Sequence, residues 1–327
     1  MGTERVRHGR VQPWVVGRRV VLRYRVGEAD GRPLYSDVLG ELVGVDDPVR
    51  IRRENGEVVE VRRADVYRLS GIPPRPERRA DPLELDEIAA AGWQAPDSEW
   101  LGRWWLRAAE GWTQRANSVL PLGDPGLPVE EAVRRARQWY AERGLPLRFQ
   151  LALPGSTELD AELDQAGLEA VSATLMQTAS ISAFAGEPPV TVELADAPSD
   201  GWRAGYRSRG ASLPAVAVSV LTNAARPVFA SIVEDGVHVA IARAVVDSGW
   251  LGITAVEVAE SHRRRGLAGA VMRALATWGA RNGARQAYLQ VTADNTPALA
   301  FYERLGFTTH HRYHYRIEPA TLRNSSA

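Results

Sequence analysis

Hydrophobic and polar positions change rhythm along this chain. From about Gln12 to Leu69, apolar and polar residues alternate in short runs, Val15–Arg25, Ser36–Val45, Val49–Arg53 and Val58–Arg62, parted by the turn formers Gly27–Gly31, Asp46–Pro48 and Asn55–Gly56. A period of two, with Asn-Gly between two runs, is the pattern of strands joined by hairpins. Five such strands with no helix between them predict a small closed antiparallel barrel over 12–70, because closure removes the exposed strand edges. Residues 71–81 are proline-rich and charged, the composition of an extended linker.

From Pro82 the rhythm is mixed. Helical periodicity at Pro128–Arg143 is followed by a strand-like run at Leu147–Leu153, and a second proline-rich break falls at Gly186–Val190. After it come strands at Pro227–Glu234, Val237–Val246 and Leu251–Ala259, a helix at Leu267–Asn282, a strand at Ala287–Thr292, a helix at Pro297–Leu305 and a strand at His310–Ile317. Alternating helices and strands predict an α/β (α+β) class with mixed sheets flanked by helices. Without a gap, Gly144–Gly167 lies over Gly283–Gly306, each running from one helix-ending glycine through strand, loop and helix to another. The expected layout is therefore one α/β fold occurring twice, over 82–186 and 190–318.

Composition narrows the chemistry. The 327 residues hold 40 basic and 40 acidic side chains and no cysteine, and every basic residue other than histidine is arginine. Disulfides, thiolate metal sites, a cysteine nucleophile and a lysine Schiff base are excluded. No run of 18 apolar residues occurs and no signal-like segment opens the chain, so the expected address is the cytoplasm and no membrane partner is expected. Residues 1–80 carry 17 arginines against 12 acids. That mild excess is expected to be solvated surface, with nucleic acid or an acidic protein as the alternative partner.

The densest chemical signal joins a strand to a helix. Val256-Glu257-Val258 leads through Arg263-Arg264-Arg265 into Gly266-Leu267-Ala268-Gly269. Backbone N–H groups of such a turn converge on one point, the helix dipole adds positive character, and small residues let an anion approach. Arginines at a helix start oppose that dipole, which favours a bound anion over mere packing. Side-chain parity on the strand sets Gly252, Thr254, Val256 and Val258 on one face and Ile253, Ala255 and Glu257 on the other. His310, His311 and His314 form no metal set: with no acid fixed beside them, they are expected on a terminal edge strand or a pocket rim. The stretch Arg107–Pro121, with Trp112, Arg115, Asn117 and Ser118, reads equally as a substrate wall or a core strand.

The loop at Arg263, Gly266 and Ala268 resembles the acetyl-CoA loop Q/R-x-x-G-x-G/A of the GNAT N-acetyltransferases. Asn295-Thr296-Pro297-Ala298 through Tyr302 to Gly306-Phe307 resembles the same family's N-x-x-A-x-x-x-Y-x-x-x-G-F block, in the right order. The resemblance covers Asp196–Glu318 and implies tandem GNAT folds behind an SH3-like or Tudor-like barrel, a layout similar to mycobacterial histone-acetyltransferase-like proteins. It implies acetyl-CoA as co-substrate and a primary amine, of a protein or a small molecule, as acceptor. Val256, Glu257 and Val258 would offer main chain to the pantetheine arm. Arg263, Arg264, Arg265, Gly266, Leu267, Ala268 and Gly269 would hold the pyrophosphate, Asn295 would bond the pantetheine portion, and Tyr302 would protonate the departing thiolate. The general base is missing from its usual places, since Gly252, Thr254 and Gln290 carry no charge and parity turns Glu257 away. The first copy has Pro121–Pro128 in place of the arginine turn, Ser156 in place of Asn295 and Leu163 in place of Tyr302, so it is expected to be degenerate. An acetyl-CoA sensor without turnover is the alternative.

Overall fold

Alternation places Val20, Leu22, Val38, Leu42, Val49, Ile51 and Val61 on one side of their strands, and these residues are buried together. A computed structural model describes residues 16–53, 57–71, 80–206 and 213–319. It divides into two units, Met1–Arg79 and Ala80–Ala327. The first holds β1 (Arg19–Ala29), β2 (Arg32–Gly44), β3 (Val49–Arg52), β4 (Val58–Val61) and β5 (Val66–Gly71), an antiparallel sheet of order β4-β3-β2-β1-β5. Most of the expected Gly27–Gly31 turn is strand. The chain reverses in two residues, Asp30 and Gly31, whose φ of 50° and 70° suit a hairpin that follows the sheet's twist. The Asn55–Gly56 turn lies outside the described residues, and the strands on either side of it pair from Val49↔Val61 to Arg52↔Val58. The unit is a five-stranded antiparallel sheet, and the pairings among the described residues leave β4 and β5 as its two ends and do not show the expected closure.

In the second unit, Asp81 does not belong to a linker. It caps α1 (Pro82–Ala91): its side chain accepts from Leu83 N, and the Glu84 carboxylate returns to the Asp81 N–H. Then follow β6 (Asp97–Leu101), β7 (Trp104–Ala108), β8 (Leu120–Pro121), α2 (Val129–Ala141), β9 (Arg148–Leu153), α3 (Thr157–Gln165) and β10 (Glu169–Ser180). The rest of the unit is β11 (Glu193–Ala195), α4 (Asp200–Gly205), α5 (Ala215–Thr222), β12 (Pro227–Glu234), β13 (Val237–Asp247), β14 (Trp250–Val258), α6 (Leu267–Arg281), β15 (Gln286–Thr292), α7 (Thr296–Arg304) and β16 (Thr308–Ile317).

Residues 82–186 and 190–318 do not separate as two units. Eight strands form one sheet, β11-β12-β13-β14-β15-β10-β16-β9, and β6-β7-β8 reaches it through a parallel bridge between Val119 and Phe149. Each half has lent its last strand to the other: β10 pairs with β15, β16 pairs with β9, and the two exchanged strands pair in the middle. The ungapped pairing of the glycine-bounded segments holds for α3 and α7, but the strands slip by one. Phe149 and Leu151 pack on the α2 side, and Leu289 and Val291 on the α6 side. Gln150 therefore matches Gln290 rather than Leu289.

The exchange also corrects the histidines. β16 is an interior strand between β10 and β9. Acids do stand beside its histidines: His311 Nε2 lies 3.2 Å from Asp86 Oδ1, both side chains buried, and His314 Nε2 lies 2.8 Å from Asp160 Oδ1. Among the described residues no three His, Asp or Glu side chains gather as a metal site.

Candidate functional site

β14 and β15 are parallel neighbours only through Trp250↔Gln286, Leu251↔Ala287 and Gly252↔Tyr288. Beyond that level both strands continue and part, so a gap opens along Ile253–Val258, whose peptide groups on that side have no strand partner. Gly252 is required at its start, because a Cβ there would stand 2.2 Å from the Tyr288 hydroxyl.

A bulge in β14 overturns the parity expected for Glu257. Opposite β13, Arg243 pairs with Thr254 and Ile241 with Glu257, so two residues of β14 face one of β13, with Ala255 at φ 54°. Ile241 and Arg243 lie on the same face of an unbroken stretch of β13, so their partners do too. Glu257 therefore shares the face of Thr254, opposite α6. Val256 and Val258 turn to the α6 side and pack on its core.

The strand ends in a short 3-10 turn, Glu260–His262, and the arginine turn follows. Arg264 (φ 66°) and Gly266 (φ 81°) are both left-handed, and Gly266 is the N-cap of α6. Such a turn aims successive N–H groups inward, and the left-handed arginine carries strain of the sort that functional turns retain. A Cβ added at Gly266 or Gly269 would meet nothing within 4 Å, so the space over the helix start is open. Leu267 is buried in the α6 core, and Ala268 is half-buried. Arg263 and Arg264 are exposed. Arg265 is held elsewhere: its guanidinium donates to both carboxylate oxygens of Glu234 at 3.0 and 2.9 Å.

On the far side of the gap, Asn295 caps α7, its Oδ1 accepting from Ala298 N at 3.2 Å. Tyr302 sits on α7 among Phe301, Phe307 and the α6 core. Burial, with the Glu257 charge adding, pushes its hydroxyl up to about 12. A tyrosine so shifted stays protonated at neutral pH, as an acid must.

The opposite face carries residues that sequence reasoning passed over. Trp93 stacks on Trp112 and Trp202 on Tyr206, and Arg243 and Arg115 both stand against the Trp93 ring, at 5.4 and 5.0 Å. Arg243 donates through Nε to Leu221 O at 2.7 Å and through Nη1 to Thr254 Oγ1 at 3.4 Å, and burial pulls its guanidinium down to about 10. A charge inside an alternating apolar strand, Ile241–Val245, was the available signal. The stretch Arg107–Pro121 divides between the core and this face. Arg107, Asn117 and Ser118 are buried, while Trp112 and Arg115 join this aromatic face.

The model described as "Probable histone acetyltransferase Rv0428c C-terminal" matches residues 80–316, and that described as "Rv0428c N-terminal Sm-like domain" matches residues 14–69. The chain is 34% identical over 313 residues to the "Probable histone acetyltransferase Rv0428c" of Mycobacterium tuberculosis, spanning 93% of this chain and 95% of that protein. In fold it is similar to a GCN5-related N-acetyltransferase from Kribbella flavida, with TM-score 0.54, 21% identity, and 72% and 95% of the two chains covered. It is also similar to a tandem GNAT protein from the clavulanic acid biosynthesis pathway, with TM-score 0.51, 16% identity, and 75% and 89% covered.

Proposed function

The chain belongs to the GNAT N-acetyltransferases, in the family of Rv0428c with its Sm-like N-terminal domain, and from that premise we propose that it transfers the acetyl group of acetyl-CoA to a primary amine at one site, in the second half of the Ala80–Ala327 unit. The observation that carries this reading is the gap between β14 and β15, fronted by the left-handed turn at Arg264–Gly266. In it, a thioester lies between the unpaired main chain of Val256, Glu257 and Val258 and the helix α7. The turn from Arg263 to Gly269 takes the pyrophosphate through its N–H groups and through Arg263 and Arg264. Asn295 lies at the mouth of the gap, toward the pantetheine portion.

Glu257 is the base. It stands on the acceptor face and its charge is felt at Tyr302, so acid and base bracket the same gap. The amine nitrogen forms a bond to the thioester carbonyl carbon, and the C–S bond breaks. The proton lost by nitrogen goes to Glu257, and the thiolate sulfur takes one from the Tyr302 hydroxyl. Strand N–H groups stabilise the carbonyl oxygen as it gains charge. A carboxylate on the acceptor face weakens the alternative of a sensor without turnover. The first half is a degenerate GNAT copy in this reading, residues 12–70 are an accessory module tied on by a short linker, and the protein works in the cytoplasm.

Calorimetry with acetyl-CoA tests the site, with one site per chain expected; two sites, or none, would sink the reading. Mass spectrometry of amine pools incubated with labelled acetyl-CoA then identifies the acceptor. The chain holds no lysine, so labelling of the enzyme's own side-chain amines cannot be mistaken for transfer.

A further inference from the structure

Arg243 is 1% exposed, and its Nη2 has no hydrogen-bond partner among the described residues. The charges that act on it come from Tyr288, Arg115 and Tyr206, with no carboxylate among them. A buried guanidinium without a counter-ion is costly, so its retention needs a reason. Gln290, on β15, has both amide atoms buried and without a partner among the described residues. The registers bring the two to one level. Arg243 faces Thr254, and Gln290 lies two residues beyond Tyr288, which pairs with Gly252 two residues before Thr254. All face away from α6, at the height where β14 and β15 have parted. Arg115 adds a second guanidinium against Trp93. Asp86 lies within electrostatic reach of Tyr288, but His311 and Gln150 occupy its two oxygens. Glu257 shares the face and is the proposed base.

In the first half the matching glutamine is satisfied, although Arg107 Nη1 there also lacks a partner among the described residues. There the matching Gln150 accepts from Arg107 Nη2 at 3.1 Å and donates toward Asp86, and Arg107 also reaches Ser118 O and Oγ.

Resting on the acetyl-transfer reading above, we infer that the acceptor is an amine that also carries a carboxylate, its two oxygens taken by Arg243 Nη2 and Gln290 Nε2 and its apolar part by Trp93 and Trp112. Two donors match two coplanar oxygens. A polycation, such as a lysine-rich tail, a polyamine or an aminoglycoside, would bring like charge to two guanidiniums, and this disfavours it.

The test uses the full chain and thiol release from acetyl-CoA, with amines paired so that only the carboxylate differs: phenylalanine against phenethylamine, lysine against cadaverine, and a lysine-rich peptide beside them. The carboxylate member of each pair is expected to have the higher kcat/KM by about 10-fold or more, through KM, the scale set by a charge-assisted hydrogen bond. Arg243→Met should erase most of that preference while the acetyl-CoA Kd stays put. Gln290→Leu should erase part of it and serves where Arg243→Met fails to fold. Equal or better turnover of the amines lacking a carboxylate overturns the inference. So does a preference unmoved in a folded variant, or a panel in which acetyl-CoA binds and no carboxylate-bearing amine reacts. Failure to bind acetyl-CoA would instead strike the acetyl-transfer reading on which the inference stands.

Discussion

The two halves of the Ala80–Ala327 unit use matching helices and strands, yet their clefts have opposite chemistry. In the first half, a cavity of about 500 Å³ persists where α2 and α3 begin, lined by Trp104, Pro121, Pro125, Pro154, Glu158 and Glu162 among others. Its loop has no arginine turn. Pro125 and Pro128 lack N–H groups, and the Asp124 carboxylate accepts from Gly126 N at 2.7 Å. Ser156 starts α3 without a side-chain cap, and Leu163 is buried where the other half has Tyr302. In the first half Gln150 is tied to Arg107 and Asp86, whereas both amide atoms of its counterpart Gln290 lack partners among the described residues; each half also buries an arginine with one unpartnered nitrogen, Arg107 Nη1 and Arg243 Nη2. What separates the two clefts is which backbone N–H groups are free and whether the central glutamine is satisfied.

Tyr302 against Leu163 is the sharpest point of that contrast. Tyr302→Phe keeps the ring and its packing, so the acetyl-CoA Kd should hold while kcat falls by about 10²–10⁴-fold. A fully active variant would reduce Tyr302 to a core residue like its counterpart. The pH profile adds a second reading. The folded pKa, near 12, lies above tyrosine's ordinary 10, so the protonated acid persists well past neutral pH and kcat should show no tyrosine limb below about pH 10. By the same sign, the stability gained from burying the neutral hydroxyl is fully present below about pH 10 and is lost as pH rises through 12. Alkaline titration of the wild type against Tyr302→Phe checks this, and a limb near pH 9 would contradict it.

Gly266→Val comes next. The position is left-handed (φ 81°), where a β-branched residue is strained whatever the space, and the substitution also covers the open helix start. Acetyl-CoA affinity should fall by about 100-fold or more, a strain of a few kcal/mol converted to binding. Gly126→Val, at the left-handed glycine of the first-half loop (φ 75°), should lower stability and leave that affinity unchanged. Equal losses of affinity would mean that the first-half cleft also matters to the cofactor.

Most of the second half was legible because its elements are long and periodic. The residues expected for β12 coincide with those observed, and α6, β15 and α7 shift by a residue or two at their ends. The arginine turn was legible as well, since strand, small residues and helix occur in one local run. Three other features are not local. The exchange of β10 and β16 changes nothing in either strand's own pattern, so a terminal edge for His310–Ile317 was the natural expectation. Glu257 was misplaced because one extra residue, marked by a left-handed Ala255, reverses every side chain beyond it, and alanine gives no hint of that. The face opposite α6 joins Trp93, Arg115, Arg243 and Gln290 from four separate segments, none of them a motif. In the first unit, Asp30-Gly31 carries the hairpin signal that was given to the wider stretch Gly27–Gly31.

Each half buries one arginine, Arg107 and Arg243, and substitution tells their roles apart. Arg107→Met removes the donor to Gln150 Oε1 and to the Ser118 carbonyl and hydroxyl, and should cost about 2 kcal/mol of stability, the scale of hydrogen bonds to a charged group. Because its hydrogen bonds run to Tyr140, Ser118 and Gln150 and to no residue of the β14–β15 gap, acetyl-CoA affinity should not move. Urea unfolding and calorimetry on one variant check both, and an affinity loss without a stability loss would show that the two halves communicate.

The smallest expected effect tests the arginine turn itself. Arg265 pairs with Glu234 through both guanidinium nitrogens, and both side chains are partly exposed. Such a pair is worth about 0.2–1 kcal/mol, so Arg265→Met should change stability little. It should weaken acetyl-CoA by no more than about 3-fold, that energy expressed in affinity, because the guanidinium is already engaged. Arg264→Met removes a side chain that projects from the turn into solvent, and should weaken binding by about 10-fold or more, as expected for a phosphate contact. Glu234→Gln separates the remaining possibilities. Freed from its partner, Arg265 can swing to the anion, and affinity should then hold or rise. If Arg265→Met instead proves as damaging as Arg264→Met, the Glu234 pair opens when acetyl-CoA binds. All three arginines would then hold the pyrophosphate, as the bare sequence implied.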